Sequence, residues 1–229
     1  MFHVEPPPRV TGETPWASGE PSPALLREIL SEAGVEIHEK IAGGLAAHAR
    51  EMLRWNRSIR LTAIVDPVEV AVKHVADSLL LLRFAPFPGR LLDFGSGAGY
   101  PGVPLALCLP GTRITLLEAS AKKAAFLSRV RGLLGLENVQ VVHERADPRK
   151  PFARRPFDHI VTRATASPGQ VLSLLSPCLA DGGRFLFMTG PRGEAGGKIP
   201  GAVTRRERFL LPRGMGEREI VEVEPSGAS

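Results

Sequence analysis

With 229 residues, 43% of them hydrophobic and 23% charged, the chain carries enough apolar side chains for one full core and a small helical annex. No run of 18 apolar residues occurs and the first residues lack the apolar segment of a secretory leader, which disfavours membrane insertion and export and makes the cytoplasm the expected location. Cys108 and Cys178 lie far apart, with no C-x-x-C or H-x-x-x-H spacing, which argues against a disulfide framework and against a bound metal.

Residues 1–23 hold Pro6, Pro7, Pro8, Pro15, Pro21 and Pro23 among small polar residues, a composition that buries no core face; a mobile tail outside the fold is expected. Residues 24–87 read as a helical cap. Ile37, Ile41, Leu45, Ala49, Met52 and Leu53 form one stripe at spacings of three and four, and Val68, Val72, Val75, Leu79 and Leu82 form another. Between them lies a short connection, Leu61-Thr62-Ala63-Ile64-Val65-Asp66-Pro67, where Asp66 suits the cap of the third helix and Pro67 its first residue.

From 88 to 224 the period changes. Strands are expected at 90–94, 113–118, 138–143, 157–162 and 183–189, with helices near 102–109, 120–134 and 168–180. Such alternation gives an α/β fold, a parallel sheet covered on both faces. The segments 203–211 and 217–223, joined through Pro212-Arg213-Gly214, predict an antiparallel hairpin at one edge.

The first strand runs straight into Asp93-Phe94-Gly95-Ser96-Gly97-Ala98-Gly99-Tyr100-Pro101-Gly102. Glycines at alternate positions let the backbone turn sharply and approach a ligand closely. An acidic residue, Glu118, ends the next strand about 20 residues on, where it suits two ribose hydroxyls, with Ala119 and Ser120 beside it. Gly97 to Gly102 also satisfies G-x-G-x-x-G, so NAD competes with S-adenosylmethionine. Asp93 before the turn and Pro101 after it favour the methyl donor: a pyrophosphate wants free N–H groups and no carboxylate, whereas the donor carries an ammonium and a sulfonium.

Right-handed crossovers gather the strand ends along one crevice. The third strand is followed by Arg145-Ala146-Asp147, where Asp147 could accept from an adenine amino group and the Ala146 amide could bind a ring nitrogen; a turn-forming role for Asp147 stays open. The fourth ends in Val161-Thr162-Arg163-Ala164. No Asn/Asp-Pro-Pro-aromatic motif for exocyclic amines stands there. Cys178, in a predicted helix without a neighbouring His, suits no carbon methylation. An acceptor with its own lone pair, such as guanine N7, needs alignment and no base. Arg163 is then a positioning residue, or else the partner of Asp158 or Asp147.

A formal charge of +5, a pI near 9.7 and clusters at Arg50–Arg60, Arg145–Arg155 and Arg205–Arg208 fit either a polyanionic partner or solvated faces.

Across about Leu53 to Arg218 the chain resembles the bacterial glucose-inhibited division protein B family, also called RsmG, the 16S rRNA guanine-N7 methyltransferases. Trp55-Asn56, Leu61-Thr62-Ala63-Ile64 and Lys73-His74-Val75-Ala76-Asp77-Ser78-Leu79 look like its N-terminal signature. Asp93 to Leu105 is similar to its donor loop, including the Pro-Gly-x-Pro extension. Lys122, Lys123, Leu136-Glu137-Asn138-Val139, Arg145-Ala146-Asp147 and Arg163-Ala164 continue in order.

The resemblance implies a Rossmann-like class I methyltransferase with an N-terminal helical cap, S-adenosyl-L-methionine as cofactor, and a guanine in the 530 loop of 16S rRNA or the small subunit as target. It implies donor contacts at Gly95, Tyr100, Glu118, Ala146, Asp147 and Arg163, and makes His74 and Asp77 part of the pocket lid or RNA contact. Candidate RNA contacts are Arg54, Arg57, Arg60, His74, Asp77, Lys122, Lys123 and Arg192, and a monomer is expected. Three positions depart from the family: Arg60 replaces Asn, Thr189-Gly190 replaces Lys-Gly, and Glu219 replaces His. A methyltransferase of another acceptor and a non-catalytic RNA-binding relic are the competing readings.

Overall fold

The computed structural model describes residues 20–147, 156–163, 166–190 and 199–225. Most of the expected tail lies outside these residues, as do Arg149, Lys150, Arg154, Arg155 and Arg192.

Helix α1 (Pro23–Glu32) starts behind Ser22, whose hydroxyl accepts from the Leu25 N–H, and α2 (Glu39–Asn56) packs beside it. α3 (Pro67–Val70) begins as its sequence predicts, with the Asp66 carboxylate accepting from the Glu69 N–H at 2.9 Å. It continues into a π-helical stretch (Ala71–Ala76), α4 (Asp77–Leu79) and a 3-10 turn (Leu80–Phe84). A π turn holds more residues than an α turn, so the regular periodicity slips. His74 and Asp77 are consequently buried along with Val72, Val75 and Leu79, as is Ser78.

Seven strands form one sheet: β1 (Arg90–Phe94), β2 (Arg113–Glu118), β3 (Val139–His143), β4 (Phe157–Arg163), β5 (Leu179–Thr189), β6 (Ala202–Leu210) and β7 (Glu217–Glu224). Their order is β3-β2-β1-β4-β5-β7-β6. The first five run parallel, and the β6–β7 hairpin adds antiparallel with β7 inserted beside β5. Helices α5 (Gly102–Cys108), α6 (Ala121–Leu134) and α7 (Pro168–Leu175) provide crossovers. The helix expected over 168–180 stops at Leu175. Pro177 interrupts it, Cys178 ends a 3-10 turn, and β5 begins at Leu179.

Alternation along β1 divides the core. Leu91 joins an apolar cluster shared with α1, α2 and α6, whereas Leu92 joins the cluster under α7. Because β1 lies between β2 and β4, the chain winds outward from it in both directions, and the strand ends leave a crevice there.

Candidate functional site

A cavity of about 590 Å3 opens at that crevice, walled by Gly95, Gly97, Glu118, Ala146 and Arg163. The segment before α3 adds Leu61 and Thr62.

The glycine turn follows from backbone geometry. Gly95, Gly97 and Gly99 all take positive φ, and a Cβ on Gly99 would lie 2.9 Å from Val103 Cγ2. The Gly95 and Ser96 amides both donate to the Leu117 carbonyl, which ties the turn to β2. Glu118 locks the arrangement: Oε2 accepts from the Gly97 N–H at 2.9 Å and Oε1 from the Ser120 N–H at 2.8 Å. Ser120 thus contributes its amide, and Ala119 lines the cavity. The carboxylate is held on the wall with acceptor capacity to spare.

Asp93 departs from expectation. It shares the face of Leu91, is fully buried, and lies off the cavity wall. Its Oδ2 accepts from the Gly102 N–H at 3.0 Å, supporting the first turn of α5, while Oδ1 has no partner among the described residues. Burial pushes its carboxyl up to about 7. The carboxylate is therefore set behind the turn that it braces, off the cavity wall.

At the end of β4, Arg163 Nη1 donates to Asp77 Oδ2 at 3.0 Å and to the Lys73 carbonyl at 3.1 Å. Its ion partner is Asp77 in place of Asp158 or Asp147. Arg218 of β7 grips the same carboxylate through Nε and Nη2. Asp77, expected at the lid or against RNA, is fully buried between two guanidiniums and is out of reach of RNA. Burying a lone carboxylate here would be costly, and the paired arginines supply the compensation.

Arg163 Nη2 also donates to His74 Nδ1 at 3.2 Å, so the His74 proton sits on Nε2, which donates to Thr62 Oγ1 at 2.9 Å. The Tyr100 ring lies between His74 and His48, with centroids at 4.7 and 4.5 Å. His48 donates from Nε2 to the Ala98 carbonyl at 2.8 Å. Burial lowers His48 to about 4; burial and then the Arg163 charge lower His74 to about 3. Both imidazoles are neutral at pH 7, and burial also keeps the Tyr100 phenol protonated. Both faces of Tyr100 are covered, so its ring closes the cavity floor without offering a stacking surface.

The remaining candidates divide by place. Lys123 and Arg145 line the cavity, Lys122 is exposed on α6, and Asp147 is half-buried just after Ala146. Arg54 and Arg57 line a separate groove and Arg60 is exposed between α2 and α3. Arg192 lies outside the described residues. Sequence reasoning missed the site roles of His48, Asn56, Thr62 and Arg218. Asn56 left a local signal, a carboxamide at a helix end before a turn: its Oδ1 accepts from the Leu61 and Thr62 amides and its Nδ2 donates to the Thr62 carbonyl. His48 and Arg218 left none, because their partners are distant in sequence. Among the described residues no three metal-ligating side chains cluster, and no helix is long and apolar enough to cross a membrane.

Residues 43–196, which include all four strand ends at the cavity, match the family described as GidB: rRNA small subunit methyltransferase G. The chain belongs to this family. Proteins named Ribosomal RNA small subunit methyltransferase G are similar to it over most of their length. That of Solibacter usitatus is 38% identical over 193 residues, 81% of this chain and 91% of the relative. That of Burkholderia mallei is 36% identical over 218 residues, 92% of this chain and 95% of the relative. That of Salmonella arizonae is 34% identical, covering 86% and 95%. The crystal structure of a SAM dependent methyltransferase from Aquifex aeolicus superposes with a TM-score of 0.52 at 16% identity, covering 69% of this chain and 94% of that one, and shares the class I methyltransferase fold. The rRNA small subunit methyltransferase G match covers Asp77 and Arg163 but ends before Arg218, the second guanidinium on that carboxylate.

Proposed function

We propose that the protein transfers a methyl group from S-adenosylmethionine to N7 of a guanine in the 530 loop of 16S rRNA. Family membership supports the substrate class. The observation that carries the acceptor atom is the state of His74, the histidine lining the cavity: its Nδ1 accepts from Arg163, its Nε2 donates to Thr62, and its basicity is suppressed. Glu118 is engaged by two amides. A site so arranged favours an acceptor that brings its own lone pair and loses no proton in the transfer.

The residues present fit the donor. Glu118, pre-set by Gly97 and Ser120, suits two ribose hydroxyls. The backbone from Gly95 to Gly97, at positive φ on the cavity wall, suits close contact with the methionine chain of the donor beyond its sulfonium. The Ala146 amide and Asp147 suit the adenine edge. When bound, S-adenosylmethionine supplies an electrophilic methyl group. Arg163 and Arg218 together exceed the charge of Asp77 by one, so the cavity end keeps a net positive charge for the donor carboxylate or for guanine O6. Lys123 and Arg145 at the wall, with Lys122 nearby, suit phosphates of the incoming strand. Holding both reactants in line supplies the rate, up to about 7–11 kcal/mol of barrier lowering. We assign the protein to the cytoplasm as a monomer acting on the RNA or the assembling subunit.

Mass mapping of small-subunit rRNA from cells with and without the protein tests this. One methyl group on a 530-loop guanine base, released as 7-methylguanine and lost with the protein, is expected. Methylation confined to an exocyclic amine or a ribose overturns the acceptor assignment.

A further inference from the structure

A second depression, about 710 Å3, lies between the C-terminal half of α2 and the end of α6. Arg50, Arg54 and Arg57 line it from α2, at spacings of four and three that set them along one helix face. Leu53, Val65 and Leu133 supply an apolar lining, and Val65 and Leu133 are 58% and 42% exposed, unusually open for large aliphatic side chains. Two acids share the lining with the three arginines: Glu20, which is exposed, and Glu51, which is neutralised by accepting from Arg54, Arg129 and the Trp55 indole. Among the described residues, Arg57 and Arg60 make no hydrogen bond or ion pair through their side chains, so their guanidiniums are available to a ligand.

The groove is tied to the cavity. Asn56 lines the groove, and its carboxamide fixes the backbone of Leu61 and Thr62, which line the cavity. Thr62 in turn bonds His74. Residues 57–62, with Arg57 and Arg60 exposed, therefore run as a strap from one depression to the other.

We propose that this groove is a second RNA site, which holds the strand flanking the target guanine: arginines on successive phosphates, and one unstacked base on Leu53, Val65 and Leu133. The proposal rests on the rRNA reading above. Single-stranded RNA is the occupant favoured because it offers both features the groove answers, a line of anionic charge and an apolar face between charges. Arg60, exposed at the middle of the strap, extends the basic line toward the cavity.

Two double variants of the full chain test it, with binding to a 16S rRNA fragment containing the 530 loop measured across a salt series. Arg57→Gln with Arg60→Gln is expected to weaken RNA binding about tenfold and to flatten the plot of log affinity against log salt by roughly 1.4, two phosphates at about 0.7 each. Val65→Ser with Leu133→Ser is expected to weaken binding several-fold with the salt slope unchanged. S-adenosylmethionine affinity by calorimetry should match the parent in both, which also reports that the fold is intact. If the parent binds and methylates the fragment but both variants keep its affinity and slope, the groove assignment is overturned while the rRNA reading stands. Loss of binding to an acidic ribosomal protein, with RNA affinity retained, overturns it equally. A parent that binds the donor but no RNA overturns both.

Discussion

Arg218 clasps Asp77 with two hydrogen bonds, one to each carboxylate oxygen, across 141 positions of sequence. The contact fastens the last strand of the sheet to the helical cap and leaves the second half of Oδ2 to Arg163. Asp77 is thus the common anchor of the two cations beside the cavity.

Replacing that anchor should be expensive. Asp77→Asn leaves two half-desolvated guanidiniums without their counter-charge, a loss on the order of 3 kcal/mol, about 6–12 °C in unfolding temperature for a chain of this size. Thermal unfolding reads this directly. Arg218→Lys keeps the charge but gives up the paired geometry, and should fall between the parent and Arg218→Met.

Glu118→Gln tests the donor wall. One of its two amide contacts survives, whereas the other meets an N–H instead of an oxygen. Donor and demethylated product should both bind at least about tenfold more weakly, in line with the roughly 1.5–3 kcal/mol of a charged hydrogen bond. Calorimetry on folded protein checks it, and unchanged affinity would remove Glu118 from the donor site.

Asp93 should impose an unusual pH dependence. Its folded carboxyl titrates near 7, above its unfolded value, so the folded state holds a proton that the unfolded state releases. That contribution is complete below the unfolded pKa and disappears as pH rises through about 7. Asp93→Asn retains an acceptor for Gly102 and removes the titration. Its unfolding temperature relative to the parent should rise between pH 5 and pH 8, by a few degrees, about 2–4 °C per kcal/mol; a constant difference contradicts the assignment.

The two buried histidines act in the opposite sense. With folded values of about 4 for His48 and about 3 for His74, the unfolded chain binds protons first as pH falls below about 6.5. Stability is lost from there down to the folded values. His48→Phe preserves an aromatic ring against Tyr100 and should make the acid limb of a stability-pH curve shallower, at the expense of the Ala98 hydrogen bond at every pH.

The legible part of this protein was what local chemistry encodes. Short apolar strands, the glycine turn, Glu118 at the next strand end and the Asp66-Pro67 helix start are written in consecutive residues, and the observed elements fall within a residue or so of them. Strand β5 starts earlier than expected because Pro177 breaks α7. Contacts built by tertiary packing stayed invisible. The π-helical stretch shifts the phase of the helix that carries His74 and Asp77, and no pattern of period 3.6 reports that shift. The direction of Asp93 was available in principle, since it alternates with Leu92 and shares the side of Leu91, but its chemistry argued louder than its parity.

The placement of Arg218 in β7 also sets an order of assembly. The glycine turn and Glu118 come together through neighbouring strands and need only the first half of the chain, whereas Asp77 cannot receive both guanidiniums until the closing hairpin has threaded beside β5. A nascent or proteolysed fragment ending before that hairpin would display the wall built by the glycine turn and Glu118 with the positively charged end of the cavity unbraced. The pair of guanidiniums beside the cavity is in this sense a late-arriving feature, complete only once translation has passed the final strand.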